Sequence, residues 1–365
     1  MHTQPGTTKY EVDERIEHAK TLSTDFYLNP NAYEIAKEKI FSKTWQFSGD
    51  SAMLGPKHAM PVLFQPGLLD EPLLLSSDAA GKIHNLSNVC THRGNLLIEK
   101  NCKVNDLRCK YHGRRFKLDG TFLSMPEFTE VKNFPTPEDN LTALPLHQWS
   151  QFLFTGLPGA LPAELFFKEM SERIGWMELD KYKFRADLSR DFHVEAHWAL
   201  YCENYLEGFH IPFVHAGLNS VIDYGSYTTE LFRYSNLQLA IAKDSDAYFD
   251  LPETSPDYGK KVAAYYFWVF PNMMFNFYPW GLSVNIVRPT GTTACTVSFL
   301  TYVFDESKRS SGAGADLLQV EMEDEDVVQL VQRGIKSRFY KHGRYSVTRE
   351  TGTHHFHRLV AGFMN

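Results

Sequence analysis

Cys90-Thr91-His92-Arg93-Gly94 is followed by Cys109-Lys110-Tyr111-His112-Gly113, with sixteen residues between His92 and Cys109. Each stretch offers one thiolate and one imidazole. A zinc site also accepts two Cys and two His, but zinc-finger spacing groups the cysteines together and then the histidines. Here the two types alternate, as a two-iron cluster requires when one iron takes both sulfurs and the other both imidazoles. A [2Fe–2S] centre of this kind has neutral His in place of thiolate on one iron, which raises its reduction potential. Gly94 and Gly113 are expected to leave room for backbone N–H groups to approach the bridging sulfides.

The rest of the chain suits an ordinary soluble globular protein. At 365 residues it is long enough for about two domains, and 43% hydrophobic with 22% charged residues is ordinary globular composition. A net charge of -7 argues against binding nucleic-acid phosphates. Residues 1–20 are polar and mixed in charge, without the apolar core of a secretory signal. The most apolar run, 262–282, is broken by Pro271, Asn272, Asn276 and Pro279, so no membrane span is expected. Five cysteines are an odd number for a disulfide framework. Cys102, Cys202 and Cys295 are therefore expected to be reduced, in a cytoplasmic protein.

In chain order, residues 1–28 read as a loosely held arm and Asn29-Pro30-Asn31 as a helix start. Residues 1–44 form an arm and helix packing on the second domain. Residues 45–155 break into short apolar runs such as 61–64, 73–75, 82–84 and 116–118, the last leading into the turn Asp119-Gly120. That texture predicts an all-β module with the cluster loops at one end. Residues 156–365 form the second domain. A helix is expected over 163–175, a strand over 182–192 and a helix over 197–211. Strands then fill 227–305 and a long helix 316–340. Strands between helices predict an α+β domain in which a curved antiparallel sheet grips a helix.

A second metal centre is expected inside the segment Glu203-Asn204-Tyr205-Leu206-Glu207-Gly208-Phe209-His210-Ile211-Pro212-Phe213-Val214-His215. Residues 203, 207 and 210 share one face if the segment is helical, and Pro212 would end that helix and let His215 swing back. Two imidazoles and one carboxylate with open positions are what a non-haem Fe(II) oxygenase needs. The carboxylate is sought in Glu321-Met322-Glu323-Asp324-Glu325-Asp326, most of which reads as a solvated helix face. Asp324 precedes Val327, Val328, Val331 and Ile335 at helical spacing, on the buried stripe, whereas Asp326 lies on a mixed face. A carboxylate on an apolar stripe needs a cation to offset its desolvation. Asp324 is the expected ligand, with Asp326 in reserve.

Cys90-x-His92, Cys109-x-x-His112, Glu207-x-x-His210-x4-His215 and a late acidic helix together resemble the catalytic α subunit of Rieske non-haem iron oxygenases over residues 30–365. The resemblance implies an all-β Rieske [2Fe–2S] domain and a helix-grip catalytic domain. Cys90, His92, Cys109 and His112 would hold the cluster, and His210, His215 and Asp324 a mononuclear Fe(II). It also implies a homotrimer in which the cluster of one subunit faces the iron of the next, fed by an NAD(P)H-dependent reductase. Glu207 matches the carboxylate that bridges a cluster histidine and an iron histidine across that interface, a relay role. Two departures stand out. Glu207 replaces the usual Asp of ring-hydroxylating members, which resembles the branch acting on choline, betaine and carnitine. Arg114 stands where the family often has Trp.

The expected activity is oxidation of a small substrate by O₂ and reductase-supplied electrons. The expected chemistry is monooxygenation, demethylation or C–N cleavage of a betaine- or carnitine-like quaternary ammonium compound. Ring dioxygenation of an aromatic acid is the alternative, and a Rieske electron carrier or a zinc-stabilised binding module the bland ones. Tyr266 and Trp268 alternate on a strand and could line a trimethylammonium pocket, against plain core packing for most neighbouring rings. His354-His355-Phe356-His357 is taken as structural or interfacial.

Overall fold

The computed structural model describes residues 9–243 and 247–365. Its chain divides into two compact units, Ser42–Leu161 and a larger one made of Met1–Phe41 with Pro162–Asn365.

The smaller unit is all-β apart from short helical turns. A four-stranded antiparallel sheet runs in the order Ile83–Ser87, Glu71–Ser77, His58–Phe64, Cys102–Lys103. Two three-stranded sheets complete it. One joins Gln46–Asp50, Phe152–Thr155 and Leu146–Trp149; the other joins Leu107–Arg108, Arg115–Phe116 and Phe122–Ser124. Leu74, Leu86, Leu107, Phe116 and Leu118 fill the core, and Cys90 and Cys109 sit in the same buried cluster. The turn foreseen at Asp119-Gly120 is present. Gly120 has φ +87°, and a Cβ there would lie 2.9 Å from Leu86 Cδ2, so only glycine fits.

The larger unit is built on an eight-stranded antiparallel sheet. Its path runs Lys183–Phe184, Ala294–Val303, Gly281–Gly291, Met273–Tyr278, Val262–Val269, Ser235–Ile241, Thr228–Leu231, and Arg190–Val194 also pairs with Ala294–Val303. Its central strands read as continuous apolar runs because they are buried on both faces. Helices Trp198–Tyr205, Leu317–Gly334 and Thr351–Met364 belong to the same unit. Trp268 of the sheet meets Phe356 of the last helix at 5.4 Å, and Trp198 meets the same ring at 5.8 Å.

Several expectations need correction. The long helix ends at Gly334, not near 340. The histidine-rich tail lies on the helix Thr351–Met364: His357 is buried against Tyr345 (2.6 Å) and Glu203 (3.1 Å), and His354 Nε2 meets the Asp13 carbonyl. Of the arm expected to be loose, residues 1–8 lie outside the described residues. Residues 9–28 are held: Ala19, Leu22, Phe26 and Tyr27 are buried, and the Tyr27 hydroxyl donates to Glu203. Among the described residues no helix is long and apolar enough to cross a membrane, and all five cysteines are free.

Candidate metal centres and active-site cavity

In the smaller unit the two cysteine–histidine stretches form loops of equal span. The pair Val89↔Leu96 closes one and Arg108↔Arg115 the other, leaving residues 90–95 and 109–114 between them. Each loop begins with Cys and has Gly at its fifth position with a positive φ, +69° at Gly94 and +75° at Gly113. In each, the Gly N–H donates to the Cys carbonyl at 3.0 Å and the Cys N–H donates to the sixth residue's carbonyl, that of Asn95 or Arg114. The glycine amides are thus spent inside the loops, closing the turns that carry the ligands. At Gly94 conformation alone demands glycine, since a Cβ there would meet nothing.

This geometry brings the four side chains together. The His92 and His112 rings lie 4.8 Å apart, and the Cys90 thiol interacts with that of Cys109 and takes a hydrogen bond from the His92 N–H. Nδ1 of His92 and Nδ1 of His112 are both buried without a hydrogen-bond partner among the described residues. Two orphaned lone pairs beside two thiols are a cost that metal ligation removes, so the donor set fits a [2Fe–2S] cluster. Burial, then His112, Arg93 and Arg114, hold the His92 imidazole below its usual range, keeping it in the neutral form that ligates. Arg114 is 2% exposed, ion-paired to Asp139 at 2.6 Å and 5.0 Å over the Phe122 ring.

In the larger unit the expected helix over 197–211 ends at Tyr205. Glu203 and Glu207 therefore do not share its face. Glu203 faces Tyr27 and His357, while residues 206–209 form a turn into a second short helix, Ile211–Val214. Pro212 opens that helix and does not close the first, because the early positions have no use for its missing N–H. One Glu207 oxygen caps the turn, accepting from the Phe209 and His210 amides; the other lies 2.7 Å from His210 Nδ1.

Nε2 of His215 lies 3.0 Å and Nε2 of His210 3.6 Å from Asp324 Oδ1, and one ligand atom from each of the three residues falls within 4.8 Å of the others. His215 Nδ1 is held by Glu323 at 2.7 Å, as His210 Nδ1 is by Glu207. Each imidazole thus has a carboxylate on its outer nitrogen, which orients the ring and leaves Nε2 facing the common centre. Burial pulls the His215 pKa down, but Asp324 and then Glu323 outweigh it and raise it overall, the sign of a site built around missing positive charge. The donor set fits Fe(II). Asn204 adds a 2.6 Å hydrogen bond to Asp324, and Asp326 is exposed, away from the cluster.

These residues open on a cavity of about 100 Å³, small beside the ~300–1,000 Å³ of many ligand pockets. Tyr205, Tyr227, Tyr266 and Tyr278 form much of its wall. Trp268, expected beside Tyr266, is not there: one turn of the pleat further along, it is packed on Phe356 and Phe270. Glu321 also lines the cavity, only 2% exposed, with one oxygen taking the Tyr201 hydroxyl.

Burial pushes the Glu321 carboxyl from 4.5 up to about 8; the Tyr201 hydrogen bond opposes this, and Asp324 and Glu325 add to it. A carboxyl raised on folding stabilises at low pH, and that contribution is lost as pH climbs from 4.5 through about 8. Glu321→Gln is therefore expected to be more stable than wild type at pH 7 by roughly 3 kcal/mol, with the gap closing towards pH 5. Thermal unfolding at both pH values checks this; an equal gap at both would reject it.

Sequence reasoning missed Glu323, Glu321, Tyr201 and Asn204. Glu323 was legible only as one more acid in a charged run, since its partner lies 108 residues away.

The Rieske [2Fe-2S] domain family matches residues 45–135, and the ring hydroxylating alpha subunit (catalytic domain) family matches residues 179–365. The chloroplastic choline monooxygenase of Arabidopsis thaliana is 30% identical over 370 residues, spanning 97% of this chain and 85% of that protein. The carnitine monooxygenase oxygenase subunit of Escherichia coli (strain K12) is 27% identical, over 94% of each chain. Among solved structures, a quaternary ammonium Rieske monooxygenase in complex with L-carnitine shares the fold with a TM-score of 0.76 at 24% identity, covering 96% of this chain and 97% of that one. Naphthalene 1,2-dioxygenase from Rhodococcus sp. bound to indole shares it at 0.75 and 16% identity, over 94% of each. The two domains are those that bind a Rieske [2Fe–2S] cluster and a mononuclear non-haem iron.

Proposed function

The chain belongs to the Rieske non-haem iron oxygenases, and from that premise we propose that it monooxygenates a quaternary ammonium compound. A separate NAD(P)H-dependent reductase supplies the electrons. One oxygen atom of O₂ enters a C–H bond beside nitrogen and the other leaves as water, consuming two electrons and two protons. Hydroxylation of an N-methyl or N-methylene carbon gives a product that collapses by C–N cleavage to an amine and an aldehyde. The relatives that act on choline and carnitine support this substrate class.

One observation carries the reading: the His210–His215–Asp324 set opens on a small cavity walled by tyrosine rings, whose faces attract a desolvated cation. Cys90, His92, Cys109 and His112 hold the cluster, and His210, His215 and Asp324 the iron. When bound, these groups supply single electrons and the activation of oxygen. Glu207 and Glu323 hold the outer imidazole protons, and Glu207 is placed to pass a proton or an electron's compensating charge. The tyrosine walls orient the substrate and exclude water. We further assign a homotrimer, in which the cluster of one subunit serves the iron of the next, and a reducing, cytoplasmic setting that suits five free cysteines.

Turnover with a surrogate reductase, NADH and O₂, offering choline, glycine betaine, L-carnitine and benzoate in parallel, is the test. The expected result is one quaternary amine oxidised in step with O₂, with its amine and aldehyde recovered. Oxidation of benzoate alone would move the enzyme to the aromatic-acid class.

A further inference from the structure

We propose that the substrate is a quaternary ammonium compound without a carboxylate, an ammonium alcohol of the choline type, and that Glu321 is its counter-charge. This rests on the quaternary-amine reading above and narrows it. Five residues lining the cavity can carry charge: Glu207, His210, His215, Glu321 and Asp324. Four of them are engaged with one another. Glu207 holds His210, and Asp324 lies against both His215 and His210.

Glu321 is the exception. It is 2% exposed, one oxygen accepts from Tyr201, and Oε1 is buried with no partner among the described residues. An unpartnered carboxylate oxygen at a cavity wall is costly unless something binds it. No Lys or Arg lines this cavity among the described residues, so the protein does not supply the cation itself. A bound ammonium does, and its charge favours the ionised carboxylate that burial alone disfavours. The Tyr205, Tyr227, Tyr266 and Tyr278 rings add attraction for the same head group.

The lack of basic residues also decides the other end of the substrate. The carboxylate of a betaine or carnitine would lie in this small, buried space near Glu321 with no guanidinium or ammonium to meet it, and the two charges of an iron at His210, His215 and Asp324 are already offset by Asp324 and by Glu207 and Glu323 behind the histidines. Like charges so placed repel strongly. A hydroxyl meets a better environment. Asn276 and Asn285 line the cavity, and among the described contacts only their carbonyl oxygens are engaged, by Tyr205 and Ser283.

The experiment is anaerobic calorimetric binding to the iron-loaded, reduced holoenzyme. The probes are choline, glycine betaine, L-carnitine, benzoate and 3,3-dimethyl-1-butanol, the uncharged carbon isostere of choline. Choline is expected to bind at least tenfold tighter than glycine betaine or carnitine. Glu321→Gln should weaken choline at least tenfold and leave the neutral isostere unchanged, with iron content and cluster spectrum as in wild type. Betaine or carnitine binding as tightly as choline would overturn the proposal. So would a Glu321→Gln enzyme that keeps choline affinity, or one that loses choline and isostere equally, since that marks a packing role. Benzoate binding with none of the quaternary amines would instead reject the broader reading.

Discussion

Asp324→Ala is expected to empty the mononuclear site and leave the cluster whole. Iron should fall from about three to about two per chain, with the red-brown Rieske spectrum unchanged. The reason is geometric. Among the described residues Asp324 is the only carboxylate whose oxygen approaches both His215 Nε2, at 3.0 Å, and His210 Nε2, at 3.6 Å. Without it, only the two imidazoles remain, and a hard divalent ion has no anionic ligand to bind. Substrate oxidation should vanish while the reductase still reduces the cluster. Asp326→Ala is the control. Its carboxylate is exposed and does not join the His210–His215–Asp324 group, and iron content and turnover should match wild type. Loss of iron in the Asp326 variant, with retention in the Asp324 variant, would reverse the ligand assignment.

Glu207→Gln should separate metal binding from turnover. Its amide oxygen can still cap the Phe209 and His210 amides, so the turn carrying His210 persists. The charge beside His210 Nδ1, however, is gone. Both metals are expected at near wild-type content, with turnover reduced by roughly 10²–10⁴, the range for loss of a positioned proton-transfer group. Glu207→Ala removes cap and orientation together, so it should also weaken iron by roughly 10–100-fold. Stopped-flow reduction of the cluster, followed by its reoxidation in the presence of substrate and O₂, distinguishes the cases. Reoxidation at the wild-type rate in Glu207→Gln would remove the relay role and leave Glu207 as a structural cap.

The two kinds of site differ in how local they are. The cluster loops were legible because everything they need lies within six consecutive residues: a ligand at the start, an imidazole two or three residues on, and a glycine able to turn left-handed at the fifth place. The iron site was half legible. His210 and His215 are close in sequence, and the helical phase of Asp324 set it apart from Asp326. The helix drawn through Glu203, Glu207 and His210 was wrong because Pro212 reads equally well as the end of one helix or the start of another. Spacing alone cannot decide between them.

By itself the amino-acid sequence determined the fold class and the two cofactors, and it picked out candidate ligands for each, since short-range spacing and periodicity carry that information. Only the tertiary structure decided which acids serve the site. Tyr201 and Glu321 are 120 residues apart and His215 and Glu323 are 108 apart, and they meet because the 317–334 helix lies across from the 198–205 helix. It also decided that Tyr266 faces the cavity while Trp268 goes to the core, although both lie on one side of their strand. What stands opposite a side chain depends on the neighbouring elements, and burial against those neighbours is what turns an ordinary glutamate into a carboxyl whose ionised form needs a partner.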